Sequence, residues 1–231
     1  MTTASFVRPV QILGTGVGII CVCHSTSFIY VLLKDSSISR IHYISPLSLN
    51  PIVGEFEKSG KLLSHNPQQL LYASSGMLIA LADNSLFYLL ESEFPAKFTV
   101  HKTKEHFSAI CLDENCEKLA SVSKNDIVIY QIGQTLQEII HVSASRPKPL
   151  VALSSNELLF TTKGIMHIYN LQSQQQTDVQ IKPKIGGVAR ILFDSQSLPG
   201  IVQFYVATKD ELQLIGSGFK FQSQYQSNIK S

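Results

Sequence analysis

Tryptophan is absent from this 231-residue chain, and charged residues make up only 16% of it, well below the usual share of about one quarter. The first absence removes the Gly-His…Trp-Asp signature of ordinary WD repeats. The second leaves much of the polar surface to Ser, Thr, Asn and Gln. Net charge is +2, and the nineteen basic residues fall in ones and twos, such as Lys102/Lys104 and Lys182/Lys184. No basic stripe is present to neutralise a run of phosphates, so nucleic acid is not an expected partner. No apolar run approaches the roughly 20 residues that cross a bilayer as a helix, so membrane association is expected to be peripheral, through partners. No segment combines a sustained helical period with caps at both ends. With 44% hydrophobic residues, a chain of this length can still bury a sizeable core, and disorder is expected only at the ends.

Cysteine is sparse: Cys21, Cys23, Cys111 and Cys116. No Asn-x-Ser/Thr glycosylation site accompanies them, and a chain this size does not need disulfides, so a reducing compartment is expected. The stretch Val10 to Cys23 follows Arg8, but Gly14, Gly16 and Gly18 interrupt it and no small-residue cleavage site follows; a secretory signal is not expected.

What the chain does contain is a repeat. Leu78-Ile79-Ala80-Leu81-Ala82-Asp83, Leu119-Ala120-Ser121-Val122-Ser123-Lys124, Leu158-Leu159-Phe160-Thr161-Thr162-Lys163 and Phe204-Tyr205-Val206-Ala207-Thr208-Lys209 each read as a strand entering a polar turn. Their last residues are spaced 41, 39 and 46 apart, the period of a propeller blade. A second apolar strand follows each turn: Leu86–Leu89, Ile127–Tyr130, Met166–Tyr169 and Leu212–Ile215. Runs such as Ile127-Val128-Ile129-Tyr130 are apolar on both faces, which requires cover on both sides. Gln137–Ile140 and Asp178–Ile181 alternate, as outer strands should. The expected fold is therefore all-β, a β-propeller with about five four-stranded blades, occupying 1–231 as a single domain. Residues 46–66, punctuated by Pro46, Pro51, Gly54 and Gly60, are expected to form an inserted loop, and residues 222–231 a flexible tail. A β-sandwich would suit short strands too, but has no reason to repeat one hairpin at fixed spacing.

Chemical motifs are weak. Gly14-Thr15-Gly16-Val17-Gly18 has the look of a dinucleotide-binding turn, yet the third glycine falls one residue early and a β-branched strand follows where a helix N-terminus is required. Cys21-Val22-Cys23-His24 places two thiols on one face of a strand and the imidazole on the other, a poor chelate. Cys111 and Cys116 flank the turn Asp113-Glu114-Asn115 without zinc-site spacing. His167 reads as a hydrogen-bonded core or rim residue, and Tyr88, Tyr130 and Tyr169 as packing residues whose hydroxyls reach the rim. No nucleophile elbow or paired acids stand out. Hence no catalytic, cofactor-binding or metal residues are assigned, no cofactor and no small-molecule substrate are expected, and an enzyme is not expected.

Three stretches carry a resemblance: Cys21–Leu33, Gly76–Leu86 and Lys118–Tyr130, with Lys148-Pro149-Leu150 and Asn156–Phe160 continuing it. Together, over about residues 18 to 216, they resemble the citron-homology (CNH) propeller, in the version found in the Vam6 and TGF-beta receptor-associated protein family of HOPS and CORVET tethering subunits. These motifs are turn and apolar positions with no invariant chemical signature. The resemblance implies a non-enzymatic scaffold that binds a Rab-type GTPase or other tethering-complex subunits, in the cytoplasm and peripherally on endosomal or lysosomal membranes. Members of that family carry more blades than five and continue into a helical solenoid. The loops Asn50–Asn66 and Val142–Pro149 are the expected contact segments, with no individual partner-binding residue assigned. The alternatives are a WD-repeat-like scaffold in an unrelated cytosolic complex and a propeller enzyme or small-ligand binder.

Overall fold

Chains of β-branched and aliphatic residues broken every five to eight positions by Ser, Asp, Asn and Gly fold into short hairpins, and here consecutive strands within each sheet pair antiparallel. The computed structural model describes residues 18–42, 57–61, 66–162, 165–179, 188–193, 203–208, 211–216 and 224–226. They form five four-stranded sheets, each a simple meander. The first holds β1 (Ile19–His24), β2 (Phe28–Leu33), β3 (Ser37–His42) and β4 (Glu57–Lys61). The second holds β5 (Pro67–Tyr72), β6 (Met77–Ala82), β7 (Ser85–Leu90) and β8 (Thr99–Val100). The third holds β9 (Ala109–Leu112), β10 (Lys118–Val122), β11 (Asp126–Ile132) and β12 (Leu136–Ser143). The fourth holds β13 (Pro147–Leu153), β14 (Glu157–Thr162), β15 (Ile165–Asn170) and β16 (Gln176–Val179). The fifth holds β17 (Val188–Phe193), β18 (Gln203–Thr208), β19 (Glu211–Gly216) and β20 (Gln224–Gln226).

First strands touch in sequence, β1 to β5, β5 to β9, β9 to β13 and β13 to β17, so the sheets stack face to face. Strand β6 shows why the runs are apolar on both sides. Leu78, Ala80 and Ala82 join Tyr30, Leu32 and Leu70 between the first and second sheets. Met77, Ile79 and Leu81 join Phe107, Val128 and Tyr130 between the second and third. A third cluster, including Ala120, Ile127, Ile129, Leu158 and Phe160, fills the gap between sheets three and four. All six β6 side chains are inaccessible to solvent; a buried Leu or Ile contributes about 1.5–3 kcal/mol relative to an exposed one. Outer strand β12 is mostly exposed instead, with Ile139 on its solvent side.

Turn chemistry fits the register. Ala82 pairs with Ser85, leaving a two-residue connection in which Asp83 and Asn84 both have positive φ, 45° and 61°, the backbone of a type I′ hairpin that Asp and Asn tolerate.

Two expectations need amendment. Within 46–66, where a loop is expected, Glu57–Lys61 forms the fourth strand of the first sheet and pairs with Ser37–Arg40. Its Glu, Lys, Ser and Gly composition hides it from a search for apolar alternation, and lysine suits an edge strand. Within 222–231, Gln224–Gln226 pairs with Glu211–Gln213 as the outer strand of the fifth sheet. Residues 43–56 and 227–231 lie outside the described residues. Among the described residues no helix is long and apolar enough to cross a membrane.

Candidate interaction face

Because each sheet is a meander and the sheets stack in one sense, all turns from a first strand to a second emerge on one face of the molecule. Among the described residues these turns are Ser25–Ser27, Ala73–Gly76, Asp113–Glu117 and Ser154–Asn156. Short polar side chains cap them. Ser25 Oγ accepts from the Ser27 and Phe28 amides at 3.2 and 3.0 Å. Asp113 Oδ1 accepts from the Glu117 and Lys118 amides at 2.7 and 2.8 Å, and Ser154 Oγ accepts from Glu157 N at 2.9 Å. Such side-chain-to-backbone bonds are why Ser and Asp recur at these positions.

The turns are also bonded from sheet to sheet. Ser74 donates its amide (2.9 Å) and its hydroxyl (3.1 Å) to the Cys116 carbonyl. The Glu114 carboxylate accepts from Ser155 N at 2.8 Å and Ser155 Oγ at 2.5 Å. Asn115 Nδ2 donates to Ser155 Oγ at 3.0 Å, and Lys118 Nζ to the Ser155 carbonyl at 2.6 Å. Turns of sheets two, three and four thus form one hydrogen-bonded row.

Sheets one and two are joined at the same face by Glu91. Tyr30 donates its hydroxyl to Glu91 Oε1 at 2.6 Å and Tyr72 to Oε2 at 2.7 Å, the two rings lying stacked with centroids 6.1 Å apart. Beside them the Arg40 guanidinium sits between the rings of Phe28 and Phe94, 4.5 and 4.4 Å from their centroids, a cation–π sandwich. Partial burial alone would push the Glu91 carboxyl up. The donors Tyr30, Ser25 and Tyr72 outweigh it and hold the group below the usual carboxylate range. Desolvation, then the bond to Glu91, pushes the Tyr72 phenol up to about 12.

The opposite face carries turns such as Lys34–Ser36, Asp83–Asn84 and Ser123–Asn125, with the connections His101–Ser108 and Ala144–Arg146. Charge differs between the faces. Glu91, Glu93, Asp113, Glu114 and Glu117 lie on the first among Lys97 and Lys118, while Lys34, Lys102, Lys104, Lys124 and Arg146 lie on the second among Asp35, Asp83 and Glu105.

Residues singled out from sequence are dispersed. Gly18 leads directly into strand β1 rather than a helix, and a Cβ there would meet the Lys34 side chain at 2.8 Å; Gly14 and Gly16 lie outside the described residues. Cys21 and Cys23 pack toward the second sheet, with Leu70 and Tyr30, while Val22 is 54% exposed on the other side. All four cysteines are free thiols. Burial pushes the Cys23 and Cys111 thiols up to about 12. Among the described residues no group of three or more His, Cys, Asp or Glu is placed to hold a metal ion. The segment Val142–Pro149, expected as a contact loop, consists largely of the ends of β12 and β13 around Ala144-Ser145-Arg146. Asn50–Asn66 contains β4, with 50–56 and 62–65 outside the described residues.

His167 is 6% exposed. Its Nε2 lies 2.6 Å from Thr162 Oγ1 and its Nδ1 2.7 Å from Asp178 Oδ1, and its ring packs on Phe160. Bonds from His167 and then Gln176 hold the Asp178 carboxyl below its usual range. The order hydroxyl, imidazole, carboxylate is that of an activated nucleophile. The backbone of β14 and β15 around it, however, is committed to strand pairing from Glu157–Asn170 to Thr162–Ile165.

The comparisons with known proteins bear on this geometry. No protein-family model and no curated protein sequence matches the chain. Many solved structures do, among them the N-terminal domain of Nup159, with 14% identity and a TM-score of 0.59 over 86% of this chain and 60% of that one. The fold is that of a β-propeller. The chain spans about 60% of the length of that domain, and at this identity the likeness concerns architecture alone.

Proposed function

We propose that this chain is a protein–protein interaction scaffold: a CNH-type propeller of an endolysosomal tethering subunit, acting in Rab-dependent membrane trafficking and fusion. The observation that carries the scaffold reading is the bonded row of turns, Ser25 and Glu91 through Ser74–Cys116 to Glu114–Ser155. It holds a broad polar face rigid without any reacting group, and a rigid face loses little freedom on association. A propeller end is wide enough to supply the roughly 1,200–2,000 Å² of a stable interface. The tethering reading is supported by the resemblance of Cys21–Leu33, Gly76–Leu86 and Lys118–Tyr130, which cover β1–β2, β6 with the start of β7, and β10–β11 in the first three sheets. Rab-type GTPases and other tether subunits are the partners this implies, on endosomal or lysosomal membranes.

The test is a pull-down from cytosol with the immobilised chain, comparing endosomal Rab proteins loaded with GTP and with GDP. Retention that depends on nucleotide supports the proposal. Retention of tether subunits with neither Rab state removes the GTPase and leaves the scaffold. A second reading, acyl transfer, has one observation in its favour, the Thr162–His167–Asp178 relay. Turnover of a p-nitrophenyl ester that disappears in His167→Ala would establish it.

A further inference from the structure

At the end of the fourth sheet far from the bonded row, where β14 passes into β15, Thr162, His167 and Asp178 stand in line on one sheet face. Pairing sets Phe160 opposite His167, Thr162 opposite Ile165 and His167 opposite Asp178, and partners in register share a face. We infer that Thr162 is an acyl-accepting hydroxyl, which takes one acyl group from a short-chain activated ester or thioester and holds it as a covalent ester. This rests on the acyl-transfer reading above and names its nucleophile, its donor class and the fate of the group; the interaction face at the other end is not involved.

The Asp178 carboxylate, 2.7 Å from His167 Nδ1, accepts the ring proton on that side. Nε2 then keeps its lone pair, and Thr162 Oγ1 donates to it at 2.6 Å. Gln176 Nε2 donates to the same Asp178 oxygen at 3.2 Å, so the carboxylate is held in line although Asp178 is exposed. The imidazole is 6% exposed and lies against the Phe160 ring, centroids 5.0 Å apart, which fixes its plane. Thr162, the last residue of β14, is only half-buried, so a small donor can reach it. Opposite it Ile165 is 46% exposed, an apolar surface on the same face for the hydrocarbon tail of an acyl group.

The step balances in protons and electron pairs. Thr162 Oγ1 attacks the carbonyl carbon as its proton passes to His167 Nε2, and Asp178 stabilises the imidazolium so formed. The tetrahedral intermediate collapses by breaking the bond to the leaving oxygen or sulfur, which departs with that proton as the alcohol or thiol. The Thr162 ester remains. Strand pairing commits the backbone of β14 and β15 to its neighbours rather than to an oxyanion, so the donors of an efficient hydrolase are not supplied. An aryl oxide or thiolate leaves readily and a threonine alkoxide does not. Acylation therefore outruns hydrolysis, and the ester accumulates.

The experiment mixes the whole chain with p-nitrophenyl butyrate and follows nitrophenoxide release, intact mass and the position of the adduct by peptide mapping. Thr162→Val, Thr162→Ser and His167→Gln accompany it, and circular dichroism melts establish that each is folded. The expected result is a burst of one equivalent of nitrophenoxide and a mass gain of one butyryl group, mapped to Thr162. The burst disappears in Thr162→Val, survives in Thr162→Ser and slows about a hundredfold in His167→Gln. Butyryl on lysine or cysteine alone, or an undiminished burst in folded Thr162→Val, would overturn the inference, and mapping in the parent decides it even where a variant does not fold. A mapped Thr162 ester with no later turnover supports the acceptor and removes repeated acyl transfer. Continuing turnover in Thr162→Val keeps acyl transfer and removes the acceptor, and no release at all removes both.

Discussion

Removing the Glu91 carboxylate should release two sheets from each other. In Glu91→Ala both phenol donors lose a charged acceptor, and bonds to charged groups contribute about 1.5–3 kcal/mol each. The two losses are unequal. Tyr72 is only partly buried and recovers water, whereas Tyr30 is 0% exposed; its oxygen keeps the Arg40 guanidinium, but its O–H is left without an acceptor, a penalty of about 1–3 kcal/mol. A net loss of about 2–4 kcal/mol follows, and for a chain of this size that lowers Tm by about 5–15 °C. The assay is urea and thermal unfolding of Glu91→Ala, Tyr30→Phe and the double variant. Because the groups are in contact, the double should fall short of the sum by about 1 kcal/mol or more. Glu93→Ala, two residues away and exposed, should stay within about 0.5 kcal/mol of the parent. Acid supplies a further check. A carboxyl held low in the folded state contributes stability above its ordinary value near 4.5, and that contribution is lost as pH falls through the lower folded value. The gap between parent and Glu91→Gln should therefore narrow as pH falls below about 4.5. Strict additivity, or a Glu91→Ala protein as stable as its parent, would refute the latch.

Other outcomes follow from single features. His141 is held above its usual range, first by its bond to Asp126, so its contribution is complete below about pH 6.5 and fades as pH rises through the folded value; the small difference between parent and Asp126→Asn in urea unfolding should shrink from pH 5.5 to 8.5. Gly76 has φ +80°, so Gly76→Ala should cost about 1–2 kcal/mol, read from the unfolding midpoint. Thiol labelling with a chromogenic disulfide at pH 8 should be slow for Cys23 and Cys111, whose thiols sit near 12, and fastest at Cys116 in its turn; rapid labelling of Cys111 in the native protein would contradict its placement between sheets three and four.

Much of the architecture is legible in the sequence because a propeller writes itself as repeats. Each inner hairpin is a doubly apolar pair of strands around a short polar turn, and Leu78–Leu89, Leu119–Tyr130 and Leu158–Tyr169 carry that pattern without interruption. Strand β4 is hidden because an edge strand needs no apolar face, and Glu57-Lys58-Ser59-Gly60-Lys61 reads as a loop by composition. The environment of His167 follows from register: Phe160 faces His167 and His167 faces Asp178 across adjacent strands, so one sheet face collects them, and the reading as a hydrogen-bonded residue holds. Its particular partners depend on the strand register, which composition does not set. The Tyr30–Tyr72–Glu91 latch was not legible, since its members belong to different sheets, and Tyr30 and Glu91 are 61 positions apart in the chain. The Ser74–Cys116 and Glu114–Ser155 bonds are hidden for the same reason. What could have pointed to them is the recurrence of Ser at the equivalent first turns, Ser25, Ser74 and Ser154-Ser155.

The stacking of sheets is tested most directly by truncating two adjacent residues, Leu78 and Ile79, which point to opposite sides of β6 and are both 0% exposed. The measurement is the unfolding free energy in urea of Leu78→Ala and Ile79→Ala. Sheets covered on both faces predict a loss of about 2–5 kcal/mol for each. A sheet with one free face would give one large loss and one within about 0.5 kcal/mol, and that result would contradict the propeller.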